Sequence, residues 1–214
     1  MSVDEGPATR RAWAVGALAL AVFLAFSIAF IDRPLVSFFH AHLRPQRWLF
    51  DALTHLTDLF PFFAGFTLLA ALLAHARGAP IGPRLSAALR VAICFCVAIV
   101  LKDQAKIVFG RTWPETWVAN NPSYIRDGVF GFFPFHGGPG WASFPSGHMA
   151  SAAVMAACCW ALWPRGRALY LLFVALVAVG LVGADYHWLS DVAAGAALGA
   201  AVGAAGMRIG RAGG

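Results

Sequence analysis

Apolar residues in this chain fall into blocks of roughly membrane length, separated by short basic turns and one long polar stretch. A helix needs about 20 apolar residues to cross the ~30 Å hydrocarbon core of a bilayer. The first block, 12–31, is interrupted only by Gly16 and Ser27. It is longer than the apolar region of a cleaved leader and further blocks follow, so it is expected to be a span. Similar blocks predict spans at 61–76, 86–103, 147–163, 168–184 and 186–207. The intervening segment 32–60 mixes Arg33, Arg44, Arg47, Asp51, Asp58 and the histidines His40, His42 and His55 with aromatic and leucine residues. It is expected to lie along the membrane surface as one or two amphipathic helices. The stretch 104–146 is rich in Gly, Pro, Asn and Trp and predicts a long loop, with residues 102–106 still helical. The expected fold class is all-α: a polytopic membrane protein of six transmembrane helices, formed as a single domain over 1–214.

Composition supports this reading. Of 214 residues, 60% are hydrophobic and only 12% charged, against roughly a quarter charged in soluble domains. That leaves too little polar surface to cover one large soluble core. The distribution of the +6 net charge says more than its sum. Arg and Lys cluster before residue 12, at 77–84, at 165–167 and at Arg208 and Arg211. By the positive-inside rule these turns and both termini face the cytoplasm, as in a bacterial inner membrane. His75, Asp4 and Glu5 are the only histidine and acids on that face. The remaining acids and histidines fall on the outer side. Ionisable residues at one interface, rather than along the midplane, argue against a transporter. Cys94, Cys96, Cys158 and Cys159 lie inside apolar runs, as small buried filler.

Two polar constellations break the apolar pattern on the outer face. Phe144, Pro145, Ser146, Gly147 and His148 open the fourth span. A helix N-terminus there offers free N–H groups and a positive dipole end, which suits phosphate. Ser146 can cap the helix, Gly147 lets an anion approach the backbone, and His148 adds an acid–base group. Further on come Tyr186, His187, Trp188, Leu189, Ser190 and Asp191. At four apart on a helix, His187 and Asp191 share a face, and a carboxylate on one ring nitrogen fixes the tautomer of the other. Taken alone, the first constellation reads equally well as a plain helix start, and the second reads more readily as a structural His–Asp pair. Together on one face they suit phosphoryl transfer, one imidazole attacking phosphorus and the other protonating the leaving oxygen.

These residues resemble the signature of the type 2 phosphatidic acid phosphatase (PAP2) family: K-x6-R-P, P-S-G-H and S-R-x5-H-x3-D. The resemblance runs from Lys102 to Asp191. It implies a metal-free phosphatase with an extracytoplasmic site. In it His187 is the nucleophile, oriented by Asp191, and His148 the general acid. Ser146 and the Gly147 N–H hold phosphate oxygens. Lys106 and Pro114 keep the first spacing, but Trp113 stands where the arginine is expected. In the third part Gly180 and Leu181 replace serine and arginine. Pro114 biases Trp113 toward an extended backbone, which would put Arg111 on the same side as position 113. Arg111 is therefore the expected replacement cation for the first arginine, with Arg126 or His136 from the loop for the second and Lys102 as a further contributor.

The expected function is hydrolysis of a lipid phosphomonoester or diphosphate at the outer face through phosphohistidine, without cofactor, metal or nucleic acid. The partners are the bilayer and the lipid substrate. A catalytically inactive lipid-phosphate binder is the alternative. A metal-dependent hydrolase using His136, His148, His187 and Asp191 is a more distant one. Trp113, Trp117, Trp141 and Trp188 fit an interfacial aromatic belt or contacts to a lipid or sugar headgroup.

Overall fold

A computed structural model describes residues 7–209 of the chain, so Asp4, Glu5 and Arg211 lie outside the described residues. Helix α1 (Pro7–Phe26) passes through a π-helical turn (Ser27–Ile31) into α2 (Asp32–Leu43) without leaving helical backbone. Short 3-10 turns then lead into α3 (Arg47–Thr54) and on to α4 (Phe60–Ala76). Helix α5 (Pro83–Phe109) is the longest of the later helices. The loop after it holds one short helix, α6 (Tyr124–Asp127). Helices α7 (Gly147–Leu162), α8 (Arg167–Gly183) and α9 (Leu189–Ile209) complete the bundle. Among the described residues there are isolated β-bridges but no strands.

The protein is an integral membrane protein. Arg11–Ala76, Pro83–Phe109, Pro164–Gly183 and Leu189–Ile209 are long and apolar enough to cross a membrane, and Gly147–Leu162 is apolar but shorter. The first of these stretches contains two of the expected spans. Two boundaries differ from the sequence expectation. Segment 32–60 is not a separate surface element at its start: α2 extends the first helix, and Asp32 is fully buried. Helix α1, the π-helical turn and α2 together reach roughly 55 Å at 1.5 Å per residue, well beyond the hydrocarbon core. The loop also starts later than 104, because helical hydrogen bonding persists to Phe109. Gly110 stops α5 in a left-handed conformation (φ 56°), and a Cβ there would lie 1.9 Å from the Phe133 carbonyl oxygen. Only glycine fits that cap.

Helices α7 and α9 form the closest pair. Gly195, Gly199 and Gly203 repeat every four residues along one face of α9. A Cβ at those positions would meet the Ser146 oxygen at 2.4 Å, the Ala150 oxygen at 2.2 Å and the Ala157 Cβ at 2.8 Å. Small residues at this spacing let two backbones touch, the usual basis of helix association in lipid. The start of α7 is thereby set against the start of α9, and the Ser146 N–H donates to the Asp191 carbonyl oxygen at 3.0 Å. The two polar constellations of the sequence meet because the glycine face clamps their helices together.

The segments between helices sort to two ends. Arg208 lies over the Trp13 ring at one end. At the other, Arg44 and Arg47 both pair with Glu115, His40 with Asp185, and Tyr186 with Asp51. These contacts tie α2 and α3 to the loop and to the turn before α9.

Candidate active site

His187 sits in the turn before α9, not within its first turn as the sequence spacing suggested. Asp185 takes φ 58°, a conformation that aspartate tolerates, and the N–H groups of Tyr186 and His187 both donate to the Leu181 carbonyl oxygen. The imidazole is nevertheless brought to Asp191: His187 Nδ1 lies 3.3 Å from Asp191 Oδ2. The same Oδ2 accepts from the Trp188 N–H and from the Ser143 hydroxyl. Asp191 is thus the third residue of α9, reaching back to the N-cap N–H as in a capping box. Burial holds the His187 imidazole below its ordinary range. The hydrogen bond to Asp191 opposes this, while Lys106 and Arg111 add to it. This favours the neutral ring, in which Nδ1–H is donated to Asp191 and Nε2 keeps its lone pair.

A cavity of about 340 Å³ opens beside this ring, lined by Lys102, Lys106, Trp113, Gly147, His148 and His187 among others. A second, of about 220 Å³, adjoins it and shares Trp117, His148 and His187. Lys106 Nζ sits 5.4 Å from the centroid of the Trp113 ring, which packs 5.0 Å from the His187 ring. Lys102 Nζ pairs with Asp103, and its side chain lies against Gly147, where a Cβ would stand 3.2 Å from its Cδ. His148 and His187 therefore share one anion-sized space with two lysines and the opening turn of α7.

The other expected site residues are placed differently. Ser146 is fully buried and caps α7, its Oγ accepting from the Met149 N–H at 3.4 Å. Arg111 does not face the cavity. Its guanidinium is enclosed behind His187, paired with Asp191 Oδ1 at 2.5 Å and Asp32 Oδ2 at 2.7 Å. An extended backbone at 111–113 does not bring the two side chains to one pocket, because β-bridges to Phe132 and Ala142 hold Arg111 inside the loop. Arg126 is exposed and engaged with Asp127 and Asn120. His136 stacks on Trp141 at 4.2 Å and lines a different cavity. Among the described residues, no three His, Cys, Asp or Glu side chains gather as a metal-binding group.

The cavity also contains residues that the sequence pattern did not single out. Ser151, one helical turn after Gly147, and Asp58, hydrogen-bonded to His55 at 2.7 Å, both line it. Ser151 was readable from its i+4 spacing, whereas Asp58 arrives from the turn between α3 and α4 by tertiary packing. Asp32, expected at the surface, carries the connection from the first helix to Asp191.

A family model described as the PAP2 superfamily matches residues 84–212, more than half of the chain. The chain belongs to the PAP2 superfamily. Among curated proteins it is similar to a protein named lipid A 1-phosphatase from Rhizobium johnstonii, 36% identical over 80 residues. A second protein of that name, from Rhizobium etli, is 35% identical over 79 residues. These matches cover 37% and 36% of this chain but only 33% and 34% of the relatives' lengths. Among solved structures, a PAP2-type phosphatidylglycerolphosphate phosphatase from Bacillus subtilis aligns with a TM-score of 0.57 over 91% of this chain and 96% of that one. At 19% identity, that likeness concerns the fold.

For a PAP2 chain, the two positions where the resemblance led to an expectation of arginine have a clear packing context. Leu181 is fully buried among Met149, Ala152, Val177 and Val192. A guanidinium there would enter an apolar core at high desolvation cost. At Gly180 a Cβ would meet the Leu53 Cβ at 2.7 Å and the Phe50 oxygen at 2.8 Å, so α3 closes on α8 where serine was expected. Trp113 is buried, donates Nε1–H to the Pro139 oxygen, and presents its ring to Lys106 and His187.

Proposed function

We propose that this chain is a phosphatase acting on a lipid phosphomonoester or diphosphate, with His187 as the nucleophile. The observation that carries this is the shared cavity of His148, His187 and two lysines, with Asp191 on the far nitrogen of His187. The His187 Nε2 lone pair attacks phosphorus in line, the bond to the lipid oxygen breaks, and His148 delivers a proton to that oxygen. Water then attacks the phosphohistidine, its proton returning to His148, and the P–N bond breaks to release phosphate. Lys102, Lys106 and the Gly147 N–H face the phosphoryl oxygens, where fixed positive charge does most of the catalytic work. Asp191 stabilises the cationic ring of the phosphohistidine. No metal takes part in this scheme.

The reading extends to topology and substrate. With α1 and α4 each crossing the bilayer, the chain spans it six times. The basic turns then face the cytoplasm of a bacterial inner membrane and the site faces outward. Among lipid phosphates, a phosphorylated glycolipid fits best. Trp117 is exposed where both cavities meet, with Trp113 and Tyr186 beside it, and aromatic faces suit sugar rings. The named activity of the Rhizobium relatives agrees with this choice.

The test is phosphate release by detergent-purified protein in chelator, over phosphatidic acid, phosphatidylglycerol phosphate, a polyprenyl diphosphate and a lipid A-type glycolipid. Release that disappears in His187→Ala supports the scheme. Headgroup binding without release from any lipid would instead favour a non-catalytic binder.

A further inference from the structure

Asp32 does not line the cavity, yet it accepts four hydrogen bonds, as many as Asp191 does. Its Oδ1 accepts from the Ser27 hydroxyl at 2.9 Å and the Ser190 N–H at 3.1 Å. Its Oδ2 accepts from Arg111 Nη2 at 2.7 Å and from the Ser190 hydroxyl. Four donors surround it. The π-helical turn is the reason Ser27 and Asp32 meet, since residues five apart stack in that geometry.

Arg111 is held between this carboxylate and Asp191, its Nη1 donating to both Asp191 Oδ1 and Ser190 Oγ. Its guanidinium lies over the rings of Phe130, Phe132 and Trp188. All three ionic groups are fully buried. One guanidinium between two carboxylates leaves one negative charge, and the enclosure meets the cavity where Asp191 Oδ2 lies against His187. Had Arg111 paired with Asp191 alone, the pair would be neutral and nothing would match a charge growing on the ring.

We propose that Asp32 and Arg111 are a positioning pair for the nucleophile. Asp32 takes up half of the Arg111 charge, so that Asp191 keeps a net negative charge for the imidazolium formed when His187 bonds to phosphorus. The proposal rests on the phosphoryl-transfer reading of the site. Fixed charge placed in advance where charge develops is worth far more in a dry site than in water. The other charged and titratable groups near His187 are Lys102 and Lys106 from α5, His148 from α7, Asp51, His55 and Asp58 from α3 and the turn after it, and the neighbouring Tyr186. Each of these stands on the cavity side of the ring, away from the Asp32–Arg111–Asp191 enclosure.

The test compares Asp32→Asn, Arg111→Met and the double variant, by steady-state kinetics on the preferred lipid and by NMR titration of ring-labelled His187 without substrate. Asp32→Asn leaves a neutral Arg111–Asp191 pair. Its kcat should fall about 10- to 100-fold with KM within about threefold, and the His187 titration should move to lower pH. Arg111→Met leaves two negative charges and should move that titration to higher pH. The double variant restores one negative charge and should bring the titration back toward the wild-type position. It buries no guanidinium at all, so it remains informative if Asp32→Asn does not fold. Titrations that stay unchanged in all folded variants, or a double variant displaced further than either single one, would overturn the proposal. The titration needs no turnover. Absence of phosphatase activity in the wild type would therefore count against the functional reading, while the titration shifts would still support or overturn the charge arrangement.

Discussion

The two sides of the His187 ring are built on opposite principles. Behind it, Asp191, Arg111, Asp32, Ser190 and Ser143 form a dry, fully packed network in which each carboxylate is surrounded by donors. In front of it lie half-buried lysines on flexible stems, a tryptophan face and open space. The rear is rigid because buried ions must be paired and hydrogen-bonded to be tolerated. The front is adaptable, as the proposed function requires of a place where an incoming phosphate sheds water and finds its cations. Under the proposed function, orientation of the nucleophile and recognition of the substrate are thus carried by separate residues. Lysine, a compact charge on a mobile stem, suits the second task better than it would the first.

Mutations on the two faces should differ in kind and in size. The largest kinetic effect after loss of His187 itself is expected from His148→Ala. Removal of the proton donor should lower kcat by about 10² to 10⁴, and a substrate whose leaving group needs no proton should recover much of that. Lys106→Met, on the front, should lower kcat/KM by roughly 10² without changing thermal stability. Arg111→Ala, on the rear, should instead destabilise the fold by about 3–5 kcal/mol by leaving two buried carboxylates unpaired, readable as a drop in Tm. A rear variant with normal Tm, or a front variant that unfolds, would break the division.

Smaller effects sharpen the same contrast. Burial holds His187 below its ordinary value near 6.5, so its neutral form is already present at pH 6.5. The acid limb of kcat/KM should therefore lie below that pH, with activity lost as pH falls and the ring takes up a proton. A limb at or above pH 7 would contradict the burial argument. Trp117→Ala should raise KM for a sugar-headed lipid phosphate by about three- to tenfold while leaving glycerol-headed lipids within about twofold.

Sequence alone made much of the fold readable, and for identifiable reasons. Membrane-length apolar blocks located α1, α4, α5, α7, α8 and α9 to within a few residues at most of their ends. The pairing of His187 with Asp191 followed from their spacing, even though His187 precedes the helix. What could not be read was charge placement. Arg111 was expected in the phosphate pocket from the alternation of an extended strand, but loop bridges turn it behind His187 instead. Asp32 fell in the segment expected along the membrane surface, because nothing in the linear pattern reveals a partner 79 residues away. Arg126 had the right charge and the wrong neighbours. In each case tertiary contacts decided the outcome, and no local periodicity encodes them.

The proposed mechanism requires a covalent phosphate on His187. Rapid quenching of the enzyme with a lipid labelled in its phosphate, followed by peptide mapping under alkaline conditions, tests it directly. An acid-labile, alkali-stable label is expected on the peptide carrying His187, forming and decaying at rates compatible with turnover and absent from His187→Ala. Label on another residue, or turnover that persists in His187→Ala, would contradict it.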